Sequence, residues 1–128
     1  MLNPKFIPKP VILMIHTRQI EQFGGTNGLR DEGLLDSALA QPQATFGGEF
    51  LHPTVAAQAG AYLYHLVMNH PFIDGNKRTA FAVMDVFLRV NDYQLILSDD
   101  EAYNVVIRVV KRELTKSNLI DELGLAIR

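Results

Sequence analysis

The chain has 128 residues, one domain's worth, and can bury a core without metal or disulfide staples. Hydrophobic residues make up 48% and charged residues 20%, which excludes a disordered chain, and a net charge of -2 gives no basic excess for nucleic acid. The absence of cysteine excludes a disulfide framework, thiolate-bound zinc and a thiol nucleophile, and suits a reducing, cytoplasmic setting.

Met1 to Pro10 holds prolines and lysines but no apolar signal core, and residues 1 to 8 read as an extended lead-in. No apolar run approaches the roughly 18 residues of a membrane span. Pro10 suits a first helical turn, and Val11, Ile12, Ile15, Gln19 and Phe23 follow near helical spacing. Gly24-Gly25 is expected to end that helix in a left-handed cap. A loop rich in Gly and Asn follows to Arg30. Asp31 is the N-cap of a second helix bearing Leu34, Leu35, Ala38 and Leu39, which Pro42 closes.

Residues 41 to 53 carry no clear period. This stretch has two readings: a flap facing the substrate, or a surface connection whose Phe46, Phe50 and Leu51 cover the core. Pro53-Thr54 opens a third helix with Val55, Ala59, Tyr62, Leu63, Leu66 and Val67 on its buried face. It ends by His70, because a residue before proline is biased away from the helical region.

A fourth helix runs from about residue 76 to 91. Between Ala80 and Val90 only Asp85 and Arg89 are polar, which marks a central, buried helix. Tyr93 to Leu97 reads as a short extended stub. Ser98 and Glu101 form a capping box for a fifth helix carrying Ala102, Val105, Val106, Val109 and Val110. Thr115 or Ser117 caps a last helix with Leu119, Ile120, Leu123 and Ile127. The expected fold is all-α, one domain over residues 1 to 128, with about six helices around the fourth.

The chemistry concentrates in His70-Pro71-Phe72-Ile73-Asp74-Gly75-Asn76-Lys77-Arg78-Thr79-Ala80. Asn76 to Arg78 fall where a buried helix begins. Its first N–H groups lack internal partners, and the helix dipole puts partial positive charge there. Gly75 permits a tight backbone and close approach by a ligand. Lys77 and Arg78 would repel that dipole unless an anion such as phosphate sits among them. Asp74 would itself repel phosphate, a conflict that Mg²⁺ resolves by taking the carboxylate and phosphate oxygens together. His70 is suited to remove a proton from a hydroxyl near neutral pH. The set reads as phosphoryl or nucleotidyl transfer.

Each residue alone has a plainer reading. His70-Pro71 can be a helix C-cap, Asp74-Gly75-Asn76 an ordinary turn, and Lys77 and Arg78 solvated charges. Phe72 is a core anchor. His16, His52 and His65 have no metal-binding spacing, and His65 does not share a helix face with His70. Arg30-Asp31 can shape the site or merely cap a helix. The functional reading rests on co-occurrence.

The turn resembles the signature of the Fic/Doc (Fido) family, His-x-Phe-x-Asp/Glu-Gly-Asn-Gly-Arg-x-x-Arg, at His70, Phe72, Asp74, Gly75, Asn76 and Arg78. Lys77 stands in place of the second glycine and Phe81 in place of the second arginine. Both departures are similar to the Doc branch, as are Ile15-His16, Phe23-Gly24-Gly25, Gly28 to Asp31 and Ser37 to Pro42. The resemblance implies a Fido-type helical bundle and a cytoplasmic toxin held by a separate antitoxin.

It further implies transfer of the γ-phosphate of ATP, with Mg²⁺, to a threonine of elongation factor Tu, which halts translation. By position, His70 would be the base, Asp74 the Mg²⁺ ligand, Gly75 and Asn76 the anion cradle, and Lys77 and Arg78 the phosphate grips. Lys77 and Phe81 are where the triphosphate would be turned to present its γ end. The alternatives are the family's more general transfer of AMP to a protein hydroxyl, and a catalytically silent binding module, against which the retained His70, Asp74, Asn76 and Arg78 argue. The inhibitory pattern Ser/Thr-x-x-x-Glu-Gly/Asn of many Fic proteins is not met, since Gln22 follows Thr17 to Glu21 and Phe50 follows Thr45 to Glu49. Restraint would then come from the antitoxin. No nucleic acid or membrane partner is expected.

Overall fold

A computed structural model describes residues 3–128, so the first two residues of the expected lead-in lie outside the described part. The elements are α1 (Lys9–Phe23), α2 (Glu32–Ala40), β1 (Thr45–Phe46), β2 (Glu49–Phe50), α3 (Val55–Asn69), α4 (Asn76–Val90), α5 (Asp99–Val110) and α6 (Lys116–Ala126). The fold is the expected all-helical bundle of six helices. None of these helices is long and apolar enough to cross a membrane.

The caps explain the helix starts. Asp31 accepts from the Leu34 N–H, Thr54 from that of Ala57, and Thr115 from that of Asn118. Ser98 and Glu101 bond reciprocally, as a capping box does. The stub at 93–97 pairs with the C-terminus, Gln94 exchanging bonds with Arg128 at 2.8 and 2.9 Å.

The buried helix expected near 76–91 is α4, and α3 shares the centre with it. Residues 57 to 63 of α3 are buried on every side, and the helix packs against α2, α4, α5 and α6, while α1 lies on α4. Gly60 makes the closest approach possible: a Cβ there would stand 2.7 Å from Cγ1 of Ile120. Tyr62 and Phe87 pack ring to ring at 5.0 Å, and the Tyr62 hydroxyl accepts the Ile7 N–H, tying the lead-in to the core.

Four local expectations change. The buried stripe of α1 is Ile12, His16 and Ile20, so Phe23 faces outward, 55% exposed. Gly24 does end α1, but at φ 88 and ψ 174, an extended conformation essentially restricted to glycine, and not in the left-handed cap. Residues 45 to 50 form a two-stranded hairpin turning at Gly47-Gly48. Only Phe50 packs, edge-on to Phe6, while Phe46 is 81% exposed, so the hairpin does not cover the core as a unit. Val110, expected inside, is exposed at the end of α5.

Candidate active site

The end of α3 and the start of α4 meet in a tight turn. α3 stops at His70, as expected, but His70 is left-handed (φ 49, ψ 55) and not extended. The carbonyls freed at this helix end are taken by Arg30. Its Nε donates to the His70 carbonyl at 2.7 Å and its Nη2 to the Asn69 carbonyl at 2.9 Å. Two bonds to a fixed guanidinium offset the cost of an unusual backbone and fix where the imidazole leaves the chain.

Asn76 locks the turn from inside. It is buried, its Oδ1 accepts the Phe72 N–H and its Nδ2 donates to the Phe72 carbonyl, both at 2.9 Å. Both polar atoms of the carboxamide are thus engaged, and Asn76 keeps its backbone N–H and the second Nδ2 hydrogen as donors. Phe72 is buried, as expected, and stacks on His16 at 3.8 Å between ring centres. The His16 Nε2 lies 2.8 Å from the Asp74 carbonyl oxygen, to which it donates in the tautomer protonated there.

The Gly/Asn-rich loop before α2 braces the turn from outside. Arg30 and Asp31 N–H groups donate to the Pro71 carbonyl, and the Ile73 N–H donates to Gly28. The Thr26 N–H donates to Oδ2 of Asp74 at 2.7 Å. This bond engages one carboxylate oxygen and leaves the other to take a further partner. Gly75 is left-handed at φ 76, which favours glycine, and a Cβ there would stand a tight 3.1 Å from Ile20 Cδ1.

Above the turn lies an open cavity of about 720 Å³. His70, Asp74, Gly75, Asn76, Lys77 and Arg78, the whole expected set, border it. Arg78 donates to the Gly24 carbonyl at 3.0 Å and lies over the Phe23 ring at 5.2 Å. Lys77 has no ion-pair partner among the described residues. Val67, Met68, Val110 and Arg112 also line the cavity. Asp74 is the lining's carboxylate, against three cations. The cavity thus suits a polyanion, and a hard cation held by Asp74 fits among its oxygens. No cluster of three or more His, Cys, Asp or Glu that could hold a metal occurs among the described residues, so a cation here would need ligand oxygens besides Asp74.

No residue of 41 to 53 lines the cavity, so this stretch does not border it. The hairpin sits by Phe6, which stacks on Phe87 in the far half of α4. Sequence reasoning missed His16 and the contribution of Met68 and Arg112; of the two readings of Arg30-Asp31 both apply, Arg30 bracing the turn and Asp31 capping α2. The signal for His16 was present: it stands midway in the i, i+4 series with Ile12 and Ile20. For Arg112 there was none, because it reaches the turn from a distant helix.

The Fic/DOC family model matches residues 6–88. Toxin Doc of Mycolicibacterium smegmatis (strain ATCC 700084 / mc(2)155) is 41% identical over 104 residues, 80% of each chain. Protein kinase doc of Escherichia phage P1 is 28% identical over 112 residues, 88% of this chain and 87% of that one.

Proposed function

The chain belongs to the Fic/DOC family, on its Doc branch, and from that premise we propose that it is a Doc-like toxin that phosphorylates a protein hydroxyl. The observation that carries the reading is the single cavity that gathers His70, Asp74, Lys77 and Arg78 at the start of a buried helix. The relative from phage P1, named as a protein kinase, supports phosphoryl transfer.

In this reading the phosphates of ATP lie on the N–H groups of Gly75, Asn76 and Lys77, with Lys77 and Arg78 gripping their oxygens. His70 accepts the proton of the acceptor hydroxyl. The hydroxyl oxygen forms a bond to the γ-phosphorus, the bond to the β–γ bridging oxygen breaks, and ADP leaves. The proton then passes from His70 to water. Asp74 holds Mg²⁺, which when bound draws charge from the phosphate oxygens. The Thr26 N–H on Oδ2 orients that carboxylate. Arg30, by fixing the His70 backbone, sets the reach of the base.

The proposed acceptor is a threonine of elongation factor Tu, in the cytoplasm, and the proposed restraint is an antitoxin protein. The test is to incubate the chain with ATP, Mg²⁺ and elongation factor Tu and weigh the product. A gain of one phosphoryl group is expected. A gain of an adenylyl group would replace the reading with AMP transfer, and an unmodified factor would remove it as the target.

A further inference from the structure

Arg112 reaches the cavity from outside the motif. It follows Lys111, the C-cap of α5, and sits at φ 61. Its N–H donates to the Val109 carbonyl at 3.0 Å, and the Glu113 N–H donates to the Arg108 carbonyl at 2.8 Å. This is the place after a helix that glycine normally takes. His70, Asp92 and Arg112 are the non-glycine residues with positive φ among those described. Aspartate and histidine are enriched in that region and arginine is not, so Arg112 is the unusual member.

Its side chain has little to hold it. Nη1 donates to the Met68 sulfur at 3.2 Å, a weak acceptor, and the guanidinium carries further donors. Arg108, one turn earlier, shows the contrast: both its terminal nitrogens bond Glu122, at 3.0 and 2.9 Å. Arg112 has no carboxylate partner among the described residues, and it lines the cavity that Lys77 and Arg78 line. A strained backbone that delivers an underused cation into a cation-lined cavity points to a ligand that completes it.

We propose that Arg112 is a third phosphate-binding residue, gripping the nucleotide's phosphate chain from the α5 side while Lys77 and Arg78 grip it from α4. This rests on the reading of the cavity as a nucleoside-polyphosphate site and adds its selectivity: three cations favour ATP and ADP over AMP.

The test is calorimetric titration of the full chain and of Arg112→Gly, Arg112→Lys and Lys77→Ala with ATP, ADP and AMP in Mg²⁺, with a thermal melt of each. Arg112→Gly is expected to melt no lower than the parent, since glycine suits its backbone, and to bind ATP about tenfold more weakly with AMP unaffected. Arg112→Lys is expected to fall between. If Arg112→Gly binds ATP like the parent while Lys77→Ala is weakened, Arg112 is not a phosphate ligand and the cavity reading stands. If it keeps ATP but, when the same variants are assayed for phosphoryl incorporation into protein, loses transfer, the arginine serves the acceptor and the proposal is overturned. If the parent itself binds no ATP, the cavity reading falls and the proposal with it.

Discussion

Two histidines five residues apart, His65 within α3 and His70 capping its end, show what separates a site from a piece of core. His70 ends the helix exposed, its backbone held by Arg30 and its ring at the edge of the cavity. His65 lies half-buried within the helix, its Nε2 2.8 Å from Nζ of Lys116. Burial, then the charge of Lys116, then His52, lowers the His65 pKa from 6.5 to about 4. Both regions pair a histidine with a lysine. In one, His70 and Lys77 both line an open cavity. In the other they satisfy one another and face protein. Residue type alone does not distinguish them; the direction of the helix end and the cavity do.

The sharpest way to break that contrast is to remove each imidazole. Under the proposed phosphotransfer, His70→Ala should lower the rate by about 10²–10⁴-fold, the usual contribution of a positioned base. Its thermal midpoint should stay near the parent's, because an exposed ring at a helix end carries little packing. His65→Ala should leave the rate within a few fold. Phosphoryl incorporation and a melt on both variants check this. Equal losses at the two positions would mean that His70 acts through the fold.

The two buried carboxamides extend the comparison. Asn76 beneath the site uses both its polar atoms on the Phe72 backbone. Gln58, in the first turn of α3, donates to the His52 carbonyl at 2.9 Å, and its Oε1 finds no protein partner. Asn76→Ala leaves a buried N–H and a buried carbonyl unpaired, so a loss of about 2–4 kcal/mol is expected in denaturant unfolding. Gln58→Met keeps the volume and removes an unsatisfied oxygen, so the loss should stay near 1 kcal/mol. If the two losses were equal, the lock on the turn would be no stronger than an ordinary buried contact.

How much was legible follows the same division. The turn could be read because its meaning is local: His70 to Arg78 are consecutive, and a helix start with two cations asks for an anion. The helices could be read because apolar period and caps are local too, down to Asp31, Thr54 and the Ser98–Glu101 box. What brings Thr26, Arg30 and Arg112 to the turn is packing between segments far apart in sequence, and no short-range pattern encodes it. The hairpin at 45–50 was missed because two-residue strands have no period, although Gly47-Gly48 between two aromatic-bearing pairs was a turn signal. The α1 stripe was misassigned because histidine was not counted as a core residue, while His16 is buried by stacking on Phe72.

The smallest effect tests the inert histidine. A neutral His65 in the fold, with a pKa of about 4 against 6.5 when unfolded, binds fewer protons than the unfolded chain between those values. Stability therefore rises with pH across that window. The contribution is fully present above pH 6.5 and is lost as pH falls toward 4. His52, also lowered by burial, acts in the same direction. Because His65 is only half-buried, solvent screening reduces the size to about 1 kcal/mol. Unfolding free energies of the parent and of His65→Gln, measured from pH 4 to 7, should diverge by that amount, the variant showing the flatter curve. Parallel curves would mean that His65 titrates in the fold as it does in the unfolded chain and so carries a proton below pH 6.5. Lys116 would then face a like charge at 2.8 Å, and the contrast with His70 would have to be drawn on exposure alone.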